Sequence, residues 1–86
     1  MNYKIVVKKS AAKEIEALPI KILAQVTLAI LNLGNTPRPQ GCKKLKGSRA
    51  NIWRIRVGDY RVVYIIDDKI EIVDIQKVGH RKDIYQ

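Results

Sequence analysis

Apolar residues recur along this chain in two periods, and the place where one gives way to the other divides it. The opening run "YKIVVK", residues 3–8, is rich in β-branched residues and predicts a strand. Ser10 is then suited to cap a helix in which Ala11, Ala12, Ile15 and Leu18 form one apolar stripe. Pro19 ends that helix or opens the next, where its missing N–H costs little. A second helix is predicted from Ile20 to Leu33, with Leu23, Val26, Ile30 and Leu33 on one stripe and Lys21, Gln25, Leu28 and Asn32 on the opposite one. Its apolar arc is wide, which predicts cover on more than one side. Gly34 is placed as a left-handed residue closing the helix, and "NTPRPQG" reads as a loop.

Beyond the loop the period becomes alternating. "CKKLKG" holds a short strand, and further strands are predicted at Ile52–Val57, Tyr60–Ile66 and Ile70–Val78, with turns at Gly58-Asp59 and Asp67-Asp68. The order β-α-α-β-β-β-β predicts an α+β fold: an N-terminal strand and a two-helix hairpin packed on a mainly antiparallel, twisted sheet. At 86 residues, with no internal repeat or linker, 1–86 is expected to be a single domain.

The hairpin in "NIWRIRVGDYRVVY" makes a specific prediction. A two-residue loop at Gly58-Asp59 pairs Val57 with Tyr60, Arg56 with Arg61, Ile55 with Val62 and Trp53 with Tyr64. Side chains alternate faces. Trp53, Ile55, Val57, Tyr60, Val62 and Tyr64 then form an apolar face for the helices, and Arg54, Arg56 and Arg61 gather on the other. Like charges directly opposite one another destabilise a sheet by up to about 1 kcal/mol. A bound anion resolves that conflict, since convergent guanidiniums clamp a phosphate through bidentate, charge-assisted hydrogen bonds. If Asp67-Asp68 is also a two-residue loop, Asp74 falls opposite Arg61 and pins its guanidinium.

Charge sharpens this picture. Seventeen Lys and Arg against eight Asp and Glu give a net +9, and the excess is concentrated between Lys43 and Arg61. Lys43, Lys44, Lys46 and Arg49 are candidate RNA-binding residues within it. Such a patch suits nucleic acid or an acidic protein that masks it, the plain alternative being a solvated basic face. The single Cys42 forbids an intrachain disulfide and suits a reducing compartment. "LAQVTLAILNL" is broken by Gln25, Thr27 and Asn32 and is shorter than the ~20 residues of a membrane span. A cytoplasmic protein without membrane contact is expected.

Most catalytic arrangements are missing. One His and one Cys exclude the familiar nucleophilic sets, no glycine-rich phosphate loop precedes a helix, and no spacing suits a metal, so neither metal nor cofactor is expected. RNA is a substrate that can be cut without either, because its 2′-OH is the nucleophile. Catalysis then requires stabilising a phosphorane dianion, taking the 2′-OH proton and protonating the leaving oxygen. Arginines serve the first need well and the second badly.

The segments "KKLKG", "WRIRVGDYRVVY" and "VGHRKDIY", in this order after a strand and two helices, resemble the RelE-type toxins of the RelE/ParE toxin–antitoxin superfamily. The resemblance implies a type II toxin that cuts messenger RNA in the ribosomal A site without a metal. It also implies neutralisation by a RelB-like antitoxin that wraps the basic face, with operator DNA bound only by the toxin–antitoxin complex. By the same resemblance Arg61 matches the arginine that stabilises the transition-state phosphate, Arg81 the one on the leaving-group side, and Tyr85 the tyrosine that stacks on or orients a base. Tyr85 packed on the sheet is the alternative. Arg54 and Arg56 stand where the well-known relatives carry lysines, one of them a proposed general base. Arg56 is ill suited to that role, so either the ribosome and substrate geometry do most of the work or His80, Lys43, Lys44 or Lys46 accepts the proton. His80 has the near-neutral intrinsic pKa, about 6.5, that an acid–base group needs. Two other readings stand: a ParE-like DNA gyrase inhibitor without nuclease activity, and a non-catalytic RNA-binding module. The arginine pair together with "HRKDIY" favours the nuclease.

Overall fold

The computed structural model describes residues 2–45 and 51–80. Strand β1 (Lys4–Val7) leads into α1 (Lys9–Glu16) and α2 (Ile20–Leu33), followed by β2 (Lys43–Lys44), β3 (Ile52–Val57), β4 (Tyr60–Asp67) and β5 (Ile72–His80). The five strands form one sheet in the order β1-β5-β4-β3-β2, with β1 parallel to β5 and every other pair antiparallel. Both helices lie on one face of it. There Val26, Ile30 and Leu33 of α2 and Ala11 of α1 meet Ile55, Val62, Tyr64, Ile66, Val73, Ile75 and Val78. Each such side chain, fully buried, is worth roughly 1.5–3 kcal/mol, so this layer holds the fold.

Three local expectations need correction. Helix α1 begins one residue after Lys8 with no side-chain cap, so Ser10 lies inside it. The Lys8 N–H is already spent on the Ile75 carbonyl of β5, which starts the helix where β1 ends. Among the described residues helix α2 is covered on one side alone: Ile20, Leu28 and Leu31 are exposed. The third concerns Gly34, which has φ −64°, a right-handed conformation open to any residue.

Glycine is required at position 34 for space. A Cβ there would lie 3.1 Å from the Tyr3 carbonyl oxygen and 3.3 Å from that of Leu31, while the Tyr3 N–H donates to the Gly34 carbonyl at 2.6 Å. Gly34→Ala gains about 0.4–1 kcal/mol from a less flexible unfolded chain and loses about 1–3 kcal/mol to crowding. The crowding wins because backbone cannot rotate away as a side chain does. The variant is expected to melt several degrees lower by circular dichroism, and an unchanged or higher melting temperature would show that β1 yields instead.

The β4–β5 connection is longer than two residues. Asp67 pairs with Ile72, and the Asp67 carboxylate accepts the N–H groups of Lys69 and Ile70 at 3.0 and 3.3 Å. This Asx-type turn lengthens the loop, with Glu71 at φ 55° returning the chain. A bulge beside Val63/Tyr64 leaves Gln76 as the extra residue of β5. Together they shift the register, so Arg61 faces Gly79, and Asp74 faces Ile65. That is four residues, about 13 Å, along the strand. Asp74 does not pin Arg61.

Candidate functional site

The site begins at the tight turn. Gly58 has φ 61° and Asp59 does not take a positive φ, the pattern of a II′ turn whose twist suits a hairpin. It fixes the register: Val57 opposite Tyr60, Arg56 opposite Arg61, Ile55 opposite Val62 and Trp53 opposite Tyr64. Because Ile55, Val62 and Tyr64 are buried beneath the helices, alternation carries Arg54, Arg56 and Arg61 to the far face.

Pairing extends this cationic face in both directions. Lys43 stands directly opposite Arg54, and Lys77 stands opposite Val63. Lys43, Arg54, Val63 and Lys77 therefore form one row across β2, β3, β4 and β5, with Arg56 and Arg61 in the row beside it. Directly opposed Cα atoms lie roughly 4.5–5.5 Å apart. Lys77 escapes a reading of the sequence, because its face depends on the bulge at Gln76, which local patterning does not announce.

The face is less open than an exposed arginine ladder. Arg56 is exposed, but Arg54 is 8% and Arg61 3% accessible. Both sit on inner strands, and neither is without a partner in the chain. Their guanidiniums are therefore held in place, which is what a geometric clamp requires.

His80 and Lys44 are not brought to this face. His80 pairs with Tyr60 and Lys44 with Trp53, both on the helix side of the sheet. The His80 ring meets Tyr60 edge-on, at 5.4 Å between centroids and 78° between planes. Lys46, Arg49, Arg81 and Tyr85 lie outside the described residues.

A polar clamp holds the loop beside β3. The Asp68 carboxylate accepts hydrogen bonds from Tyr3 Oη at 2.7 Å and from Arg38 Nη2 at 2.8 Å, and Arg38 lies 5.1 Å from the centre of the Trp53 ring. Asn51 accepts from Trp53 Nε1 at 2.6 Å, and the Tyr64 hydroxyl donates to the Pro37 carbonyl at 2.8 Å. The 35–42 loop is thus tied to the sheet through Tyr64 and to the β4–β5 turn through Asp68. Arg38, and after it Tyr3, hold the Asp68 carboxyl below its usual range, while burial pushes the Tyr64 phenol well up.

A carboxyl with a lowered folded pKa stabilises the fold above its unfolded pKa, about 3.9 for Asp. That contribution fades as pH falls through the folded value. Asp68→Asn is accordingly expected to melt a few degrees lower than the native chain at pH 7, with the gap closing below about pH 4. Equal melting at pH 7 would mean that the clamp adds nothing to stability.

Among the described residues, no cluster of His, Cys, Asp or Glu could hold a metal, and no helix is long and apolar enough to cross a membrane. What this face offers chemically is multidentate anion binding on rigid strands.

Proteins of known class share this fold. The model of the ParE toxin of type II toxin–antitoxin systems matches residues 5–85. Toxin RelG of Mycobacterium tuberculosis is 37% identical over 87 residues, spanning 100% of this chain and 99% of that protein. The chain also superposes on the archaeal RelE–RelB complex from Pyrococcus horikoshii with TM-score 0.83 at 28% identity, covering 94% of this chain and 97% of that one. For the RelBE2 toxin–antitoxin complex of M. tuberculosis the TM-score is 0.80 at 33% identity, covering 94% and 100%. The chain belongs to the RelE/ParE family of type II toxin–antitoxin toxins and is of the RelE type.

Proposed function

We propose that this toxin is an endoribonuclease that cuts messenger RNA on the ribosome, in the cytoplasm and without a metal. The observation that carries the reading is Arg56 directly opposite Arg61, with Arg54 on the same face. In the reaction the substrate's 2′-oxygen attacks the adjacent phosphorus, the bond to the 5′-oxygen breaks, and a 2′,3′-cyclic phosphate and a 5′-hydroxyl result. The Arg61 and Arg56 guanidiniums neutralise the extra negative charge of the phosphorane, and Arg54 holds a flanking phosphate. Guanidiniums do not accept the 2′-OH proton. Lys43 and Lys77 are amines on the same face and are better placed for that role than His80 or Lys44, which the strands carry to the other side. Arg81 and Tyr85 retain the leaving-group and base-stacking roles that the resemblance implies.

Several solved relatives are complexes of RelE with RelB. A RelB-like antitoxin is the proposed partner here, masking the cationic face, with operator DNA bound by the complex alone. The match to a ParE model supports the second reading, a gyrase inhibitor. Primer extension on ribosome-bound message separates the two. Cleavage in the A-site codon, leaving cyclic phosphate ends, is expected, whereas intact message together with inhibited gyrase supercoiling would replace the nuclease reading.

A further inference from the structure

A cavity of about 460 Å³ adjoins the cationic face and shares Lys43, Arg54 and Arg56 with it, while Ala29, Asn32, Pro39, Gln40 and Gly41 have no part in the proposed chemistry. Strand β2 begins only at Lys43, because Gly41 at φ 92° turns the chain away from β3. The Leu45 N–H donates to the Ile52 carbonyl, so Ile52 and, by alternation, Arg54 and Arg56 direct their backbone groups toward β2. Arg54 finds Lys43 there. Arg56 does not: among the described residues no backbone hydrogen bond joins it to the 39–41 loop. Alternation therefore aims its peptide N–H and C=O toward the side of the cavity, which is lined by Ala29, Asn32, Pro39 and Gln40 together with Arg56 itself. Lys43 and Arg56 stand at the rim, and both are exposed.

We propose that this groove is a nucleotide subsite that holds one base of single-stranded RNA next to the cleaved phosphate. Every element of such a site is present. The volume falls within the range of small-molecule pockets, roughly 300–1,000 Å³. The apolar surfaces of Ala29, Pro39 and Ile55 can lie against the face of a base. The adjacent donor and acceptor of the Arg56 peptide match the alternating donors and acceptors on a base edge, and Asn32 and Gln40 supply adaptable amides that tell one base from another. Lys43 and Arg56 at the rim stand on the side of the phosphate to be cleaved. Since Arg56 belongs to both the groove and the arginine face, a base seated here places its own phosphate at the Arg56–Arg61 pair. The groove would set sequence preference, and the arginines would do the chemistry. The proposal rests on the endoribonuclease reading.

The test uses the full-length ¹⁵N-labelled chain without ribosomes, so its result is independent of whether message is cut. Nucleoside monophosphates are expected to shift the Arg56 and Gly41 backbone amides and the side-chain amides of Asn32 and Gln40, while inorganic phosphate leaves the Gly41, Asn32 and Gln40 signals in place. A cleavage-resistant 2′-O-methyl trinucleotide should bind more tightly than any mononucleotide. The double variant Asn32→Ala/Gln40→Ala should weaken nucleotide binding by about tenfold, as expected for two lost amide contacts, and leave the phosphate response unchanged. The groove is an anion patch, and the proposal fails, if phosphate alone reproduces the shifts or the double variant binds as the native chain does. Equal affinity for mononucleotide and trinucleotide would also overturn it, since the site would then serve a free nucleotide. Absence of ribosomal cleavage, by contrast, would remove the endoribonuclease reading while leaving the titration result intact.

Discussion

Arg61→Ala is expected to lower single-turnover cleavage of ribosome-bound message by about 10²-fold or more, the size of loss that follows removal of a contact to developing transition-state charge. The residue is opposite Arg56 and almost fully covered, so in the proposed mechanism its guanidinium would meet the phosphate in a fixed geometry. An open ladder would let the chain lose this side chain without consequence for folding. Its burial means that Arg61→Ala also removes packed surface, so the rate loss must be read beside a melting curve. Arg61→Lys keeps a long stem and the charge but loses the planar fork, and it is expected to fold and still cleave poorly. Arg56→Lys follows the same logic on an exposed side chain: it should cost activity if one phosphate is shared by two guanidiniums. Full activity in both lysine variants would show that charge alone suffices and would remove the clamp. Full activity in Arg61→Ala would remove the site altogether.

Expression of this chain alone is expected to arrest growth of a bacterial host, with a loss of colony formation of several orders of magnitude, and co-expression of the proposed RelB-like antitoxin should restore growth. The physical basis is a net charge of +9 together with an uncovered apolar stripe, Ile20, Leu28 and Leu31, on the outer side of α2. A cationic sheet face and a bare apolar helix face are both surfaces that a wrapping acidic partner neutralises. Colony counts after induction, with and without a co-expressed RelB-like antitoxin, measure the effect. Harmless high-level expression of the soluble, folded chain would contradict the toxic activity proposed here.

Local patterning carried much of this fold. The helical stripe of Val26, Ile30 and Leu33 and the alternation in "WRIRVGDYRVVY" each obey one period over a full element. A two-residue turn with glycine first leaves the hairpin no other register. Arg56 opposite Arg61 was therefore legible from fourteen residues. Ser10 and Gly34 were misread for one reason: at both, a tertiary contact takes precedence over the local preference. The Lys8 N–H is engaged by β5, and Gly34 is needed where β1 passes close to the end of α2.

By itself, then, the sequence determined the element order, the cationic β3–β4 hairpin and the face its arginines share, because these depend on neighbours within a few positions. The tertiary structure alone decided what pairs with β5. An Asx-type turn at Asp67 and a bulge at Gln76 moved Asp74 away from Arg61, brought Lys77 onto the cationic face and sent His80 to the other side of the sheet. Each of these is a question of register. In a strand, a slip of one residue exchanges the two faces, and the slip is set by loop length and packing far from the residues it moves.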